Sequence, residues 1–266
     1  MKRYYSFRFC MVALSFGSGL VINNIDKDAF AGGLDYAPLA NPVNPAGSQG
    51  ASGLDNASAV FYNPAAILRL DDSGQIVIRS DLTVINPKFQ DKGSELIPGL
   101  PLTGGSASGR AEVIVPSFHV SYRISEDVAV GLSVDNVFGL ATFYPDSWAG
   151  RYQAIESRLS TLNINPAIGV QITDELSAGV GVNLQYATTS ISNAIDFGSL
   201  ISLVGVPPLP QQLDGLVEVT GDDWSWGWNA GILYQPSDDT RIGLTYRSAI
   251  SHNLTGNADF TVPDSA

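Results

Sequence analysis

Residues 221–250 read "GDDWSWGWNAGILYQPSDDTRIGLTYRSAI". Trp224, Trp226, Trp228, Ala230, Ile232 and Tyr234 take alternate positions, and Ser225, Gly227, Asn229 and Gly231 fill the places between them. Successive side chains of a strand point to opposite faces, so this run has one bulky apolar face and one small polar face. The turn Pro-Ser-Asp-Asp then feeds a second alternating run, Ile242, Leu244 and Tyr246 against Arg241, Gly243, Thr245 and Arg247. In a soluble sheet such an apolar face meets a protein core. In an outer-membrane barrel it meets lipid, and the small polar face lines the bore.

The same period of two recurs upstream. Ile76, Ile78, Leu82 and Val84 form one such face; Phe118, Val120, Tyr122 and Ile124 a second; Val128, Val130, Leu132 and Val134 a third. Leu162, Ile164, Ile168 and Val170, then Leu176, Val180, Val182, Leu184 and Tyr186, complete the series. Seven strands of about 10–14 residues result, roughly twice the usual globular length. Twelve residues span about 40 Å, and at a tilt near 45° they cross about 28 Å, the height of an outer-membrane apolar band.

The connections alternate in length as well. "SED", "TDE" and "PSDD" are short, whereas 87–111, 141–157 and 190–223 are long. Short turns at one end and long loops at the other correspond to the periplasmic and extracellular sides of a barrel. The fold class is therefore all-β: a transmembrane antiparallel β-barrel over residues 74–266, with a soluble β-sandwich as the competing architecture. Glycine contributes 27 of 266 residues and charged residues only 15%, in keeping with a strand-rich chain. No run approaches the roughly 18 apolar residues of a membrane helix.

The amino terminus reads as an export signal over residues 1–31. Lys2, Arg3 and Arg8 precede an apolar run, Met11 to Ile22, and Ala29-Phe30-Ala31 fits a small-x-small cleavage site. Cutting there removes Cys10, the single cysteine, and leaves 10 basic against 24 acidic residues, a charge of −14. Such a surface repels nucleic acid, and a thiol-free chain excludes cysteine chemistry and cysteine-based metal sites. No cofactor or metal is expected. Residues 32–73 follow, rich in Gly, Ala, Ser, Asn and Pro, and end in "AVFYNPAAILRL", which is too apolar to be left in water.

These features together resemble the outer-membrane transporters of long-chain fatty acids and aromatic hydrocarbons, the FadL/TodX type. "NASAVFYNPAAILRL" at 56–70 resembles the family's plug with its Asn-Pro-Ala, "DNVFGLATFYP" at 135–145 its kinked third strand, and residues 224–248 one of its strand pairs. The resemblance implies a fourteen-stranded barrel, monomeric when full length, with residues 32–73 folded into the lumen as a hatch. Seven strands are half of that, so the chain reads as the N-terminal portion of a longer protein. It also implies a route: a hydrophobic ligand is caught among the loops, passes to a pocket above the hatch, and leaves sideways into outer-membrane lipid beside the kinked strand. An outer-membrane scaffold without cargo is the alternative.

Particular residues carry these expectations. Asn63, Pro64 and Ala65 form the hatch motif; Pro64 fixes its own φ and restrains Asn63, whose amide can bond to the wall. Gly139 marks the gate, since a strand glycine signals a bulge and a bulge leaves ladder groups unpaired. Phe197, Leu200, Ile201 and Val204 stand at helical spacing and form the expected capture groove, against the plainer reading of a packed lid. The family's best-known fatty acid member has an arginine shortly after strand five where this chain has Asn193; Arg158 and Arg110 are the alternative cations but do not align with it, and without a fixed cation neutral hydrocarbons or other lipids rise beside carboxylates. Ser117 and His119 raise a hydrolase alternative, but residues two apart on a strand sit nearly 7 Å apart and no orienting acid is marked.

Overall fold

The computed structural model describes residues 9–13, 56–70, 73–93, 95–97, 99–205, 207–238 and 240–263. The cleavage site and the first part of the expected hatch lie outside them. Five residues of the expected signal, Phe9–Ala13 (β1), pair antiparallel with the edge of the last strand at Ile250–Leu254.

The wall is one antiparallel sheet. It contains β2 (Gly74–Ile85), β7 (Ala111–Arg123), β8 (Val128–Asp135), β9 (Gly139–Phe143), β10 (Glu156–Gln171), β11 (Leu176–Asp196), β12 (Asp214–Ser237), β13 (Thr240–Arg247) and β14 (Ile250–Thr261). Four short strands, β3 (Lys88–Phe89), β4 (Glu95–Ile97), β5 (Leu100–Pro101) and β6 (Ala107–Ser108), form two small hairpin pairs in the first long loop. Consecutive wall strands are neighbours, as an up-and-down barrel requires. Two of the seven staves are each broken in two: β8 with β9, and β13 with β14.

The two faces are as different as their side chains. Trp226 is 68% exposed on one face while Asn229 is 1% exposed on the other. Neighbouring outward aromatics pair across strands, Tyr186 with Trp224 and Trp228 with Tyr246, each at 5.0 Å between centroids. The strands also run further than their apolar alternation. β11 has 21 residues and β12 has 24, so the third long loop shrinks to 197–213. At about 3.4 Å per residue β12 extends some 80 Å, well beyond a band about 25 Å tall. Above that band neither face needs to be apolar, so the hydrophobic period fades while hydrogen-bonded pairing continues to Asp196 and Asp214.

Residues 56–70 pack on the inner face. Ala59–Tyr62 makes one helical turn, and Pro64–Arg69 a 3₁₀ turn with the proline at its first position, where a missing N–H costs nothing. Val60, Ala65, Ala66, Ile67 and Leu68 are buried there with Ala129, Ala167 and Leu233 of the wall. The wall makes room with glycines at the points of closest approach. A Cβ on Gly179 would stand 2.4 Å from the Pro64 carbonyl carbon and 2.5 Å from the Ala65 nitrogen, and one on Gly231 2.0 Å from Asn63 Oδ1. The small face of the tryptophan strand is thus the seat of this segment.

Overpacking that seat costs about 1–3 kcal/mol. In full-length protein, Gly179→Val is expected to lift residues 56–70 off the wall and expose them to limited proteolysis. Gly139→Ala, whose added Cβ meets only Leu159 O at 3.8 Å, should leave the digestion pattern unchanged.

Candidate functional site: the seated segment, the wall gap and the loops

Asn63 is fully buried and works at both ends of its amide. Its Oδ1 accepts from Ala65 N (3.0 Å), capping the 3₁₀ turn, and its Nδ2 donates to Ile232 O (3.2 Å) in the wall. Pro64 and Ala65 lie buried against the wall, and Ala65 O accepts from Ser177 Oγ at 2.9 Å. Two arginines complete the grip. Arg123 Nη2 donates to Leu68 O (2.7 Å) and Leu70 O (2.6 Å), and Arg247 Nη2 donates to Phe61 O (2.7 Å) with its guanidinium 4.3 Å from the Phe61 ring. Both arginines are polar-face residues of apolar-alternating strands; the sequence pattern puts them in the bore without naming a partner.

Above the seat the inner face is a hydrogen-bonded layer of carboxamides. Asn165 Nδ2 and Asn183 Nδ2 both donate to Asn229 Oδ1 (2.9 and 3.0 Å), Asn163 Nδ2 donates to Asn183 Oδ1 (3.1 Å), and Arg247 Nη1 reaches the same Asn183 oxygen. Higher still, His252 bridges Gln185 (3.0 Å) and Asp223 (3.2 Å). His119 turns Nε2 toward Asp135 at 3.4 Å and leaves Nδ1 without a hydrogen bond, and Ser117 and His119 are both buried. Among the described residues no hydrogen bond joins Ser117 to His119.

The ladder of the wall is interrupted at the third stave. The ladder between β7 and β8 ends at Ser117 opposite Asp135. Beyond it, Ala111–Pro116 stays paired with β2, and β9 pairs with β10, but no ladder joins β9 to β7. Among the described residues one hydrogen bond reaches across, from Asn136 Nδ2 to Pro116 O at 3.5 Å. The interruption falls at Asn136–Phe138, and Gly139 is the first residue after it. Thr161 holds it: its Oγ1 accepts from Phe138 N (2.9 Å) and donates to Phe138 O (3.0 Å). Thr161 carries no mark in the sequence because its role is a contact across strands.

The second broken stave differs. Asp223–Trp228 faces Ser248–Leu254 without a ladder, but side chains close the space. Trp228 exchanges hydrogen bonds with Ser248 (Ser248 N to Trp228 O, 2.8 Å; Trp228 N to Ser248 Oγ, 2.9 Å), Ser225 Oγ donates to Ser251 O (2.7 Å), and Asn253 N donates to Asp223 Oδ2 (3.0 Å).

The capture candidates lie in the loop 197–213. Phe197–Leu200 is an α-turn and Ile201–Val204 a 3₁₀ turn. Phe197 and Ile201 are half-buried, and Leu200 and the neighbouring Leu203 and Leu209 are exposed; the Val204 side chain is outside what is described. Asn193 Nδ2 donates to the Ala194 carbonyl at 3.1 Å. Arg158 lies on the outer face beside Phe143 (5.0 Å) and Glu156 (3.4 Å), and Arg110 pairs with Glu112.

Leaving a buried donor or acceptor unmade costs about 1–3 kcal/mol. Asn63→Ala should lower the unfolding free energy of full-length protein, read from its urea midpoint, by that amount, whereas Asn63→Asp, which keeps the Ala65 cap and loses the donor to Ile232, should lose part of it. Equal midpoints for all three proteins would contradict this account of the side chain.

The profile of the family described as "Outer membrane protein transport protein (OMPP1/FadL/TodX)" matches residues 29–266. A long-chain fatty acid transport protein of Escherichia coli O157:H7 is 29% identical over 228 residues, 76% of this chain and 48% of that protein. Among solved structures, a FadL homologue of Pseudomonas aeruginosa matches with a TM-score of 0.67 at 22% identity, over 78% of this chain and 50% of that one. The toluene transporter TbuX of Ralstonia pickettii matches with 0.60 at 22% identity, over 82% and 59%. The chain spans about half the length of these relatives and shares their fold, and it belongs to the OMPP1/FadL/TodX family of outer-membrane transport proteins.

Proposed function

We propose that the full-length protein takes up hydrophobic compounds, long-chain fatty acids or aromatic hydrocarbons, by passive diffusion across the outer membrane. Ligand is captured at Phe197, Leu200, Ile201 and Val204, enters the lumen, and leaves through the gap between β7 and β9 into lipid. Residues 56–70, with Asn63-Pro64-Ala65, act as the lock of a hatch that stays in place, and an N-terminal signal directs export. The relatives named for fatty acid and toluene transport support the substrate class.

The wall gap carries the reading. It begins directly above Asp135, where the polar layer of His119, Asn163 and Asn165 ends. A hydrocarbon gains about 0.8 kcal/mol per CH₂ on leaving water, so it is drawn to apolar surface without an energy source. Downward it meets amide groups and the seated segment; sideways it meets Leu140 and Leu159, on the inner side of β9 and β10, and then lipid. The stitched break at Ser248 offers no such exit.

Closing the gap is the test. Cysteines at Val115 and Leu140 flank it, and bridging them with a cleavable bifunctional thiol reagent should abolish uptake of a radiolabelled long-chain fatty acid and of radiolabelled toluene by cells carrying the full-length gene. Cleaving the bridge should restore both. Transport that continues at full rate through the bridged protein would rule out this exit.

A further inference from the structure

Arg151 ties the three long loops above the wall together. Arg151, in the loop between β9 and β10, is 3% exposed, although nothing in the surrounding sequence marks it as an interior residue. Its Nε lies 2.7 Å from Asp214 Oδ2 and its Nη1 donates to Thr103 O (2.8 Å) and Trp148 O (3.2 Å). Its Nη2 donates to Tyr152 Oη (2.9 Å) and Thr103 Oγ1 (3.3 Å), with Gln211 Oε1 at 3.5 Å. Five N–H groups in a rigid planar fork thus meet acceptors from three loops, a geometry that a lysine point charge does not reproduce.

The acceptors are themselves held. Tyr152 Oη donates to Asp214 Oδ1 (2.8 Å), and burial, with that hydrogen bond next, pushes the Tyr152 phenol above its ordinary range, so it remains a donor. Gln211 Oε1 accepts from Thr103 N (2.8 Å), its Nε2 donates to Pro101 O (3.0 Å), and its backbone N donates to Asp196 Oδ1 (3.1 Å). Asp196 Oδ1 also caps the capture turn through Ser199 N (2.9 Å). Gln211 has φ near 60°, a left-handed conformation that a residue with a side chain keeps only where its surroundings impose it.

We propose that Arg151 is a positioning residue for capture: through Gln211 and Asp214 it holds the turn Phe197–Val204 as a preformed apolar face, without touching ligand. The inference rests on the uptake reading above for its function, and on the bonding network for its geometry. The need is physical. Leu203 is 81% exposed and Leu200 and Leu209 are exposed beside it, and untethered apolar turns in water fold onto one another. A face kept open spares ligand the cost of ordering it. Because the loop 144–155 joins β9 to β10, the same arginine also anchors the connection between the two strands on one side of the gap.

Two measurements on the full-length protein test this. Initial uptake of a radiolabelled long-chain fatty acid and of radiolabelled toluene is followed against concentration for wild type, Arg151→Ala and Arg151→Lys. Arg151→Ala should raise the half-saturating concentration about tenfold, with the maximal rate within about twofold, and Arg151→Lys should fall between. A lower maximal rate at unchanged half-saturation would overturn the proposal. Independently of transport, spin labels at Asp146→Cys and Leu203→Cys should give a narrow distance distribution when Arg151 is present and a broad one in Arg151→Ala. An unchanged distribution also overturns it. Wild type that takes up neither probe refutes the uptake reading alone, and the distance arm still decides the clasp. Should Arg151→Ala fail to reach the outer membrane, Gln211→Ala, which cuts the tie between the first and third loops, is measured in the same two ways, with the same shifts expected and the same results overturning the proposal.

Discussion

A backbone amide inside a bilayer has no water to turn to, and this constraint organises the whole chain. It forces the strands into one continuous ladder and makes each interruption of that ladder a local problem. At the seventh stave the problem is solved by Ser225, Ser248 and Asp223, whose side chains supply the missing bonds. At the third stave it is left largely unsolved, with the kink pinned on one side by Thr161 and open toward β7. Two breaks in one wall, one closed and one open, are more informative than either alone, because the closed one shows that this chain has the means to seal a ladder.

The inner face obeys a second version of the same rule. Residues 56–70 bring their own backbone groups into the lumen; their turns pair some of these internally, and the wall meets several of the rest. Glycines at 179 and 231 let the two backbones approach, and Asn63, Ser177, Arg123 and Arg247 then supply or receive the bonds. Apolar burial of Val60, Ile67 and Leu68 gives the seat its adhesion, and the hydrogen bonds give it one register.

The sequence made the wall legible because a lipid boundary imposes a strict period of two, and Trp224, Trp226 and Trp228 display it without ambiguity. Ile76, Leu184 and Leu244 repeat the signal on other strands and are exposed on the same outer face. The lengths of β11 and β12 were not legible, since their upper halves stand above the bilayer where no period is enforced. The Asn63 amide could be anticipated as a donor to the wall, but its acceptor, Ile232 O, is a main-chain atom and leaves no trace in residue identity. Thr161 and Arg151 were invisible for the same reason: each acts on partners that folding alone brings near. Gly139 borders the interrupted stretch and is marked by its type, while the pin on that stretch is a hydroxyl on the next strand, β10.

The hydrogen bonds that the wall donates to the seated segment go to its carbonyls. Arg123 grips Leu68 and Leu70, Arg247 grips Phe61, and Ser177 grips Ala65, in every case at the peptide oxygen. Peptide oxygens are common to all twenty amino acids. The seated segment can therefore exchange Leu68 and Leu70 for other aliphatics and keep these bonds, so long as the serine and the two guanidinium groups opposite remain.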